Sequence, residues 1–262
     1  MSQLFIHAKY KKISKKASLR KEIPFKEVSI PKVETKKPHL AIIVPYRDRK
    51  ENLSKFLPYM ETFLGKAGIK YSVIIAEQDE KESFNRGMMK NIGFDLSKNK
   101  NYDYFAFHDV DLIPLEVDYS LITQPTHLVG KIGERCHIGL NISSCGGVIM
   151  FKKEDFITIN GFSNGYWGWG VEDDDLSWRM SVAGVHRVHR AGVYEELSHS
   201  KAINQEEYSN NCKRLGTFDG KNYLKDGLNS LHYKIIEEQD IGFNATKYTI
   251  SIKNYTKSFF KM

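Results

Sequence analysis

At 262 residues and 30.2 kDa the chain is long enough to bury a core, as one large domain or two small ones. Hydrophobic residues at 41%, aromatics at 12% and charged residues at 27% exclude wholesale disorder and a membrane bundle. The net charge of +7 is concentrated in residues 1–37, where eleven Lys/Arg stand against three Glu, a local +8 that leaves −1 for the rest.

In chain order the first feature is that basic leader, residues 1–38, whose irregular polarity suits a loosely packed segment. A basic arm can bind anionic lipid or an acidic polymer electrostatically, and residues 9–37 are the candidate for peripheral contact with a membrane. No base-reading motif accompanies it, so nucleic acid is not an expected partner. Residues 39–262 are expected to form one domain. His39-Leu-Ala-Ile-Ile-Val-Pro45 is a continuous apolar run ending in a breaker, the pattern of a strand buried on both faces. Arg49 to about Phe63 predicts a helix, with Leu53, Phe56, Leu57 and Met60 at three- and four-residue spacing and Pro58 as a point where it would kink. Tyr71–Glu77 is the next buried strand, Phe84–Leu96 a second helix, and Tyr104–His108 a third strand that runs into Asp109. The alternation predicts an α/β domain on a mostly parallel sheet flanked by helices.

The second half is less regular. Gly146–Phe151 predicts a strand, Lys153–Asn160 and Asp174–Ala183 predict helices, and His186 and His189 alternate with Arg187 and Arg190 in a further strand. No run of about 18 apolar residues occurs, nor an apolar signal core at the N-terminus. Cys136, Cys145 and Cys212 cannot all pair and match no zinc or redox spacing, so a reducing, cytoplasmic setting is expected, with contact at an inner membrane through the leader.

Three groups of residues carry chemistry. Asp109-Val-Asp111 puts two carboxylates at the carboxyl end of a buried strand, where open α/β sheets bind ligands, and such oxygens suit Mg²⁺ or Mn²⁺ bridging to a diphosphate. The triplet alone is a weak signal, strengthened by its place after a strand. Arg47 and Arg49 after Pro45, and Phe84-Asn-Arg86 at a helix start, can hold phosphate or stack beside a base. Surface ion pairing is the bland alternative for each arginine. Tyr166-Trp-Gly-Trp-Gly-Val-Glu-Asp-Asp-Asp175 combines an aromatic platform suited to a sugar face with four carboxylates, one of which could serve as a general base. Core tryptophans and an acidic helix start would explain all of it except the two glycines.

Taken in order, Ile43–Arg49, Phe84–Arg86, Asp109–Pro114, Gly146-Gly147, Ile159–Phe162, Trp167–Asp175 and Asp226–Leu231 resemble the β-1,4-galactosyltransferase family over roughly residues 39 to 235. The resemblance implies a GT-A fold, an inverting Mn²⁺-dependent transfer from a UDP-sugar to a carbohydrate acceptor, and a mobile tryptophan loop. Carried onto this chain, it places Pro45, Arg47, Arg49, Phe84 and Arg86 on the uridine diphosphate, Asp109 on the nucleotide side, and Asp111 on the metal. Ser144 and Gly147 lie beside the donor sugar, and Trp169 is the mobile tryptophan. Asp173 is the implied base, with Tyr166, Glu172 and Asp174 on the acceptor side. Two departures stand out. Glu196-Leu-Ser-His199 puts glutamate where the family has Met or His, so the implied ligands are Asp111, Glu196 and His199 and Mg²⁺ becomes a plausible second ion. Ser144 replaces a bulky tyrosine, leaving room for an N-acetyl group, so UDP-N-acetylgalactosamine stands beside UDP-galactose as donor. The acceptor segment Asn204–Asn211 looks shorter than in animal enzymes. The missing anchor and the odd cysteines suggest a bacterial-type member acting in surface polysaccharide or lipooligosaccharide synthesis. A lectin built on the same fold is the alternative, disfavoured because the candidate base and metal ligands are all present.

Overall fold

The computed structural model describes residues 36–79, 81–137, 144–198 and 203–252, and the elements below all belong to the unit Lys37–Met262. Strand β1 (His39–Tyr46) lies between β2 (Lys70–Gln78) and β3 (Tyr104–His108), parallel to both. Helix α1 (Lys50–Lys66) follows β1 and runs through Pro58, and α2 (Arg86–Ser97) follows β2. Beyond β3 the chain forms β4 (Leu112–Glu116), β5 (Thr126–Ile132), β6 (Arg135–Cys136) and β7 (Val148–Phe151). Helices α3 (Lys153–Thr158) and α4 (Glu172–Val182) lead to β8 (Val188–Glu196) and α5 (Gln205–Gly216). A final hairpin, β9 (Lys234–Asp240) and β10 (Ala245–Ser251), closes the described chain.

The strands form one ten-stranded sheet in the order β4-β8-β5-β7-β3-β1-β2-β10-β9, with β6 paired to β5. The α/β expectation holds, but the sheet is mixed rather than mostly parallel. Four pairings are parallel (β1 with β2 and β3, β2 with β10, β5 with β8) and five are antiparallel. In the βαβ half the crossover helices enforce the parallel pairing of β1 with β2 and β3, while β10 beside β2 and β5 beside β8 add the other two; β7 enters antiparallel to β3 and reverses direction there.

β1 shows why these residues make a central strand. Leu40, Ile42 and Val44 point to one face, where they pack with Phe56, Leu57, Met60 and Leu64 of α1. Ala41 and Ile43 point to the other, against Met88, Met89, Ile92 and Phe94 of α2 and the aromatic cluster of Phe105, Phe107, Phe151, Phe156 and Phe162. Both faces are buried, so the run is apolar throughout. The motifs around Asn160 and Asp226 prove to be fold fasteners. Asn91 of α2 exchanges hydrogen bonds with the Phe162 backbone and donates to the Asn164 side-chain oxygen, and Asp226 receives the Asn164 N–H at 2.9 Å. Arg179 and Arg214 both pair with that aspartate. None of the described helices is long and apolar enough to cross a membrane.

Candidate active site

The carboxyl end of β3, the amino end of β7 and the start of α4 enclose a cavity of about 450 Å³, and ten of the residues singled out in the sequence line it. These are Arg86, Asp109, Asp111, Ser144, Gly147, Trp169, Glu172, Asp173, Asp174 and Glu196. The others stand elsewhere. Arg47 lies 5.3 Å over the Phe84 ring and donates to the Glu82 carbonyl, forming a separate station one residue ahead of Asn85-Arg86. Pro45 is buried in β1, and Arg49 lines a second cavity with Tyr46, Glu77 and Lys247. Tyr166 is also apart: it is buried, and its hydroxyl donates to Asp175 at 3.1 Å in the ion network beneath the loop. Its placement there suits anchoring of the loop. His199 falls outside the described residues.

Asn85 starts α2 by accepting the Met88 N–H at 2.9 Å, which sets Arg86 at the first helical position facing the cavity. Arg86 bonds Glu172 at 3.0 Å and lies 3.9 Å from Asp109. Burial opposes its charge, but Glu172 and Asp109 more than compensate and hold its proton more firmly than usual. Glu172 is itself buried; burial, helped by neighbouring Asp173 and opposed by Arg86, leaves its carboxyl above the ordinary range. Asp109 has a partner absent from the sequence expectations. Lys90, on the buried face of α2, brings Nζ to 3.4 Å from Oδ1, a contact of charge without hydrogen-bond geometry. Burial alone would raise the Asp109 carboxyl, yet Lys90 and then Arg86 hold it below the ordinary value. The same ammonium sits 5.1 Å over the Phe162 ring.

Four consecutive acids open α4, where the unpaired N–H groups of a helix start favour carboxylates. Val171 before them adopts φ 65°, a left-handed conformation that a β-branched residue reaches only under strain from its surroundings. Asp173 accepts a hydrogen bond from the Ser144 hydroxyl at 2.9 Å and passes over Gly146, where a Cβ would lie 2.4 Å from its Oδ2. Gly146 is thus a space requirement of that carboxylate. Burial and then Glu172 raise the Asp174 carboxyl. On the wall His127 bonds the Gly146 carbonyl at 2.9 Å, and burial pushes it down to about 4, so it is neutral near pH 7.

The tryptophan loop is fastened to α5. Asn211 donates to the Trp167 carbonyl at 2.9 Å, and Tyr208 packs on Trp169 with ring centroids 5.5 Å apart. Gly168 and Gly170 have φ of +73° and +101°, and a Cβ on either would collide with Glu207 or meet the Tyr208 ring at 3.0 Å. That accounts for both glycines. Trp169 remains 46% exposed over the cavity mouth, whereas Trp167 packs into the core.

Six carboxylates and two guanidinium groups line the cavity, so a diphosphate is repelled unless a divalent cation accompanies it. The carboxylates best placed for one are Asp111 and Glu196. Leu112 of β4 pairs with Glu196 of β8, and the Leu197 N–H donates to the Asp111 carbonyl at 2.8 Å, setting the two residues side by side. Their oxygens suit Mn²⁺ or Mg²⁺. Among the described residues no group of three or more His, Cys, Asp or Glu is gathered to hold a metal, and Glu196 pairs with Arg135.

Two family models match: the N-terminal region of glycosyl transferase group 7 over residues 4–123, and the N-terminal domain of galactosyltransferase over residues 129–203. The chain is 32% identical over 221 residues to β-1,4-galactosyltransferase 7 of Drosophila melanogaster, covering 80% of this chain and 67% of that protein. It belongs to the β-1,4-galactosyltransferase family. Bovine (Bos taurus) β-1,4-galactosyltransferase 1 is 35% identical over 222 residues, which cover 82% of this chain and 55% of the bovine protein. The solved catalytic domain of the Drosophila enzyme, in complex with xylobiose, superposes with a TM-score of 0.68 at 29% identity, covering 82% of this chain and 94% of that one. A substituted form of it, in complex with manganese, UDP-Gal and xylobiose, matches with the same score and coverage. Membership brings the GT-A fold and the glycosyltransferase class of enzyme, and gives no support to the lectin alternative. These relatives are animal proteins, and none supports a bacterial-type member.

Lys90, Arg135, His127 and Tyr208 went unnoticed in the sequence. Only Lys90 left a signal, a charge one turn beyond Arg86 in a helix whose neighbouring positions Met88, Met89 and Ile92 are apolar.

Proposed function

We propose that the protein catalyses metal-dependent, inverting transfer of galactose or N-acetylgalactosamine from a UDP-sugar to a sugar hydroxyl, forming a β-1,4 linkage. The observation that carries the reading is the Asp173 carboxylate, held by Ser144 over Gly146 in one cavity with Asp109, Asp111 and Arg86. The manganese, UDP-Gal and xylobiose bound by the Drosophila relative support the same ligand classes here.

In this reading Arg86 and Asp109 orient the nucleotide end, and the Arg47–Phe84 pair supplies a cation and an aromatic face for the base. Asp111, Glu196 and His199 would hold the ion, which when bound neutralises the leaving diphosphate. Asp173 takes the proton from the attacking hydroxyl, while Glu172 and Asp174 position the sugars and Trp169 screens the cavity from water. Ser144, which donates a hydrogen bond to Asp173, is small and leaves volume for a C2 acetamido group, which favours a broad donor range. The acceptor class we propose is a bacterial surface polysaccharide or lipooligosaccharide, made in the cytoplasm; the basic charge of residues 9–37 supports only contact of that segment with an anionic inner membrane.

The test is a product assay with UDP-galactose and UDP-N-acetylgalactosamine over a glycan acceptor array. Asp173→Asn should lower kcat by at least about 100-fold, the scale of a lost general base. Full activity in that variant would end the assignment. Calorimetric titration of Mn²⁺ with UDP present should show weaker binding in His199→Ala; equal affinity would remove His199 from the ligand set.

A further inference from the structure

Glu196 is already engaged by a cation of the protein itself. Arg135 pairs with it across the cavity rim, in a contact the backbone enforces. Arg135 opens β6, which folds back on β5 with Ile132 opposite Arg135. β5 in turn runs beside β8 with Ile132 opposite Tyr194, and the Gly133 N–H donates to the Tyr194 carbonyl at 2.9 Å. The hairpin turn is therefore tied to the segment that ends in Glu196, and the guanidinium is presented to that carboxylate. Arg135 is 59% exposed and Glu196 27%, so both can turn toward a ligand without unpacking a core.

Two chemical facts make the pair more than a surface contact. A guanidinium is a fixed positive charge, so it competes with any metal for the Glu196 carboxylate. It also matches phosphate oxygens as well as carboxylate oxygens, through two parallel N–H donors. We propose that Arg135 is a positioning residue that exchanges partners: it holds Glu196 while the site is empty, and releases it to the metal when a diphosphate arrives to take the guanidinium. The exchange makes metal and nucleotide binding cooperative, because each ligand removes an obstacle to the other, and the coupling is reciprocal. This rests on the assignment of Glu196 as a metal ligand.

Mn²⁺ binding followed by loss of the free-ion electron paramagnetic resonance signal, with and without UDP, tests the exchange apart from turnover. Removing the competitor in Arg135→Ala should tighten Mn²⁺ binding without UDP about fivefold, the scale of a partly exposed ion pair. The same change should weaken UDP binding at saturating Mn²⁺ and shrink the factor by which UDP tightens Mn²⁺. Arg135→Gln, which removes the charge but keeps the polar side chain as far as the Nε position, should behave alike and guards against a local folding defect. In a Glu196→Gln background the gain from Arg135→Ala should shrink. Mn²⁺ affinity that is unchanged or weakened in both Arg135 variants overturns the proposal, as does a gain equal in both backgrounds, which would mean simple repulsion. If Glu196→Gln leaves Mn²⁺ affinity at the wild-type value with and without UDP, the ligand assignment itself fails, and the exchange with it.

Discussion

Replacing Gly146 by alanine separates catalysis from stability. The added Cβ would lie 2.4 Å from Asp173 Oδ2, whereas ordinary contact begins near 3.4 Å, so the carboxylate must retreat by about 1 Å. It can do so cheaply, being the end of a rotatable side chain in a partly buried position. The lost Ser144 hydrogen bond costs about 1 kcal/mol, and the stiffer unfolded chain returns a few tenths, because Gly146 is not among the positive-φ residues. Catalysis is less forgiving. Misplacing a reacting group by about 1 Å costs on the order of 100-fold, equivalent to about 2.7 kcal/mol of barrier. Gly146→Ala should therefore melt within a few degrees of the wild type by circular dichroism, yet show kcat reduced about 100-fold at saturating donor and acceptor. A kcat within threefold of wild type, with an unchanged melt, would show that Asp173 does not need to stand where it does.

Lys90→Met should destabilise the protein by about 2 kcal/mol in urea unfolding at pH 7, since it leaves a partly buried carboxylate with Arg86 at 3.9 Å as its remaining ion-pair partner. Asp109 is held below its ordinary value, so its contribution is complete above the ordinary aspartate range and fades as the pH falls through the depressed value. The gap between variant and wild type should hence narrow toward pH 3; a constant gap would assign the loss to packing. Asn211→Ala removes the buried amide that holds the Trp167 carbonyl and should cost about 1–2 kcal/mol in thermal unfolding, with a shift in tryptophan emission. Unshifted emission would mean that the loop is held elsewhere. Ser144→Tyr should move the ratio of kcat/KM for UDP-galactose over UDP-N-acetylgalactosamine upward by about tenfold, whatever the overall rate, and an unmoved ratio would free Ser144 of any part in donor choice.

The βαβ half was legible because each buried strand is an uninterrupted apolar run and each helix carries its stripe; β1, β2 and β3 lie within a residue or two of expectation. The strands β4, β5, β6, β9 and β10 and the helix α5 were not foreseen, and for two of them the reason is visible in the environment. β9 is exposed along its whole length and reads as polar, and β4 holds a proline tolerated at the sheet edge. Sequence spacing also could not show that β7 reverses direction, since antiparallel entry depends on a connection through β5 and β6. At the site, the family motifs led to ten cavity residues because those motifs sit at strand and helix ends that converge. Tyr166 could not be told from its neighbours: an aromatic beside two tryptophans looks like platform, and only the fold shows its hydroxyl turned inward to Asp175. Arg135 carries no motif, and its meaning depends wholly on the register of β5 with β8.

The pairing of β4 with β8 also bears on when the proposed metal site can exist. Asp111 and Glu196 meet only after the chain between them has laid down β5, β6, β7, α3 and α4 and returned to the sheet's far edge. Closing so long a connection comes late in folding, after the local βαβ contacts. A nascent or partly unfolded chain thus presents isolated carboxylates with little hold on a divalent ion. Metal retention would report on completion of the edge of the sheet, and chelator sensitivity should rise with the first excursions of β4, well before the central strands open.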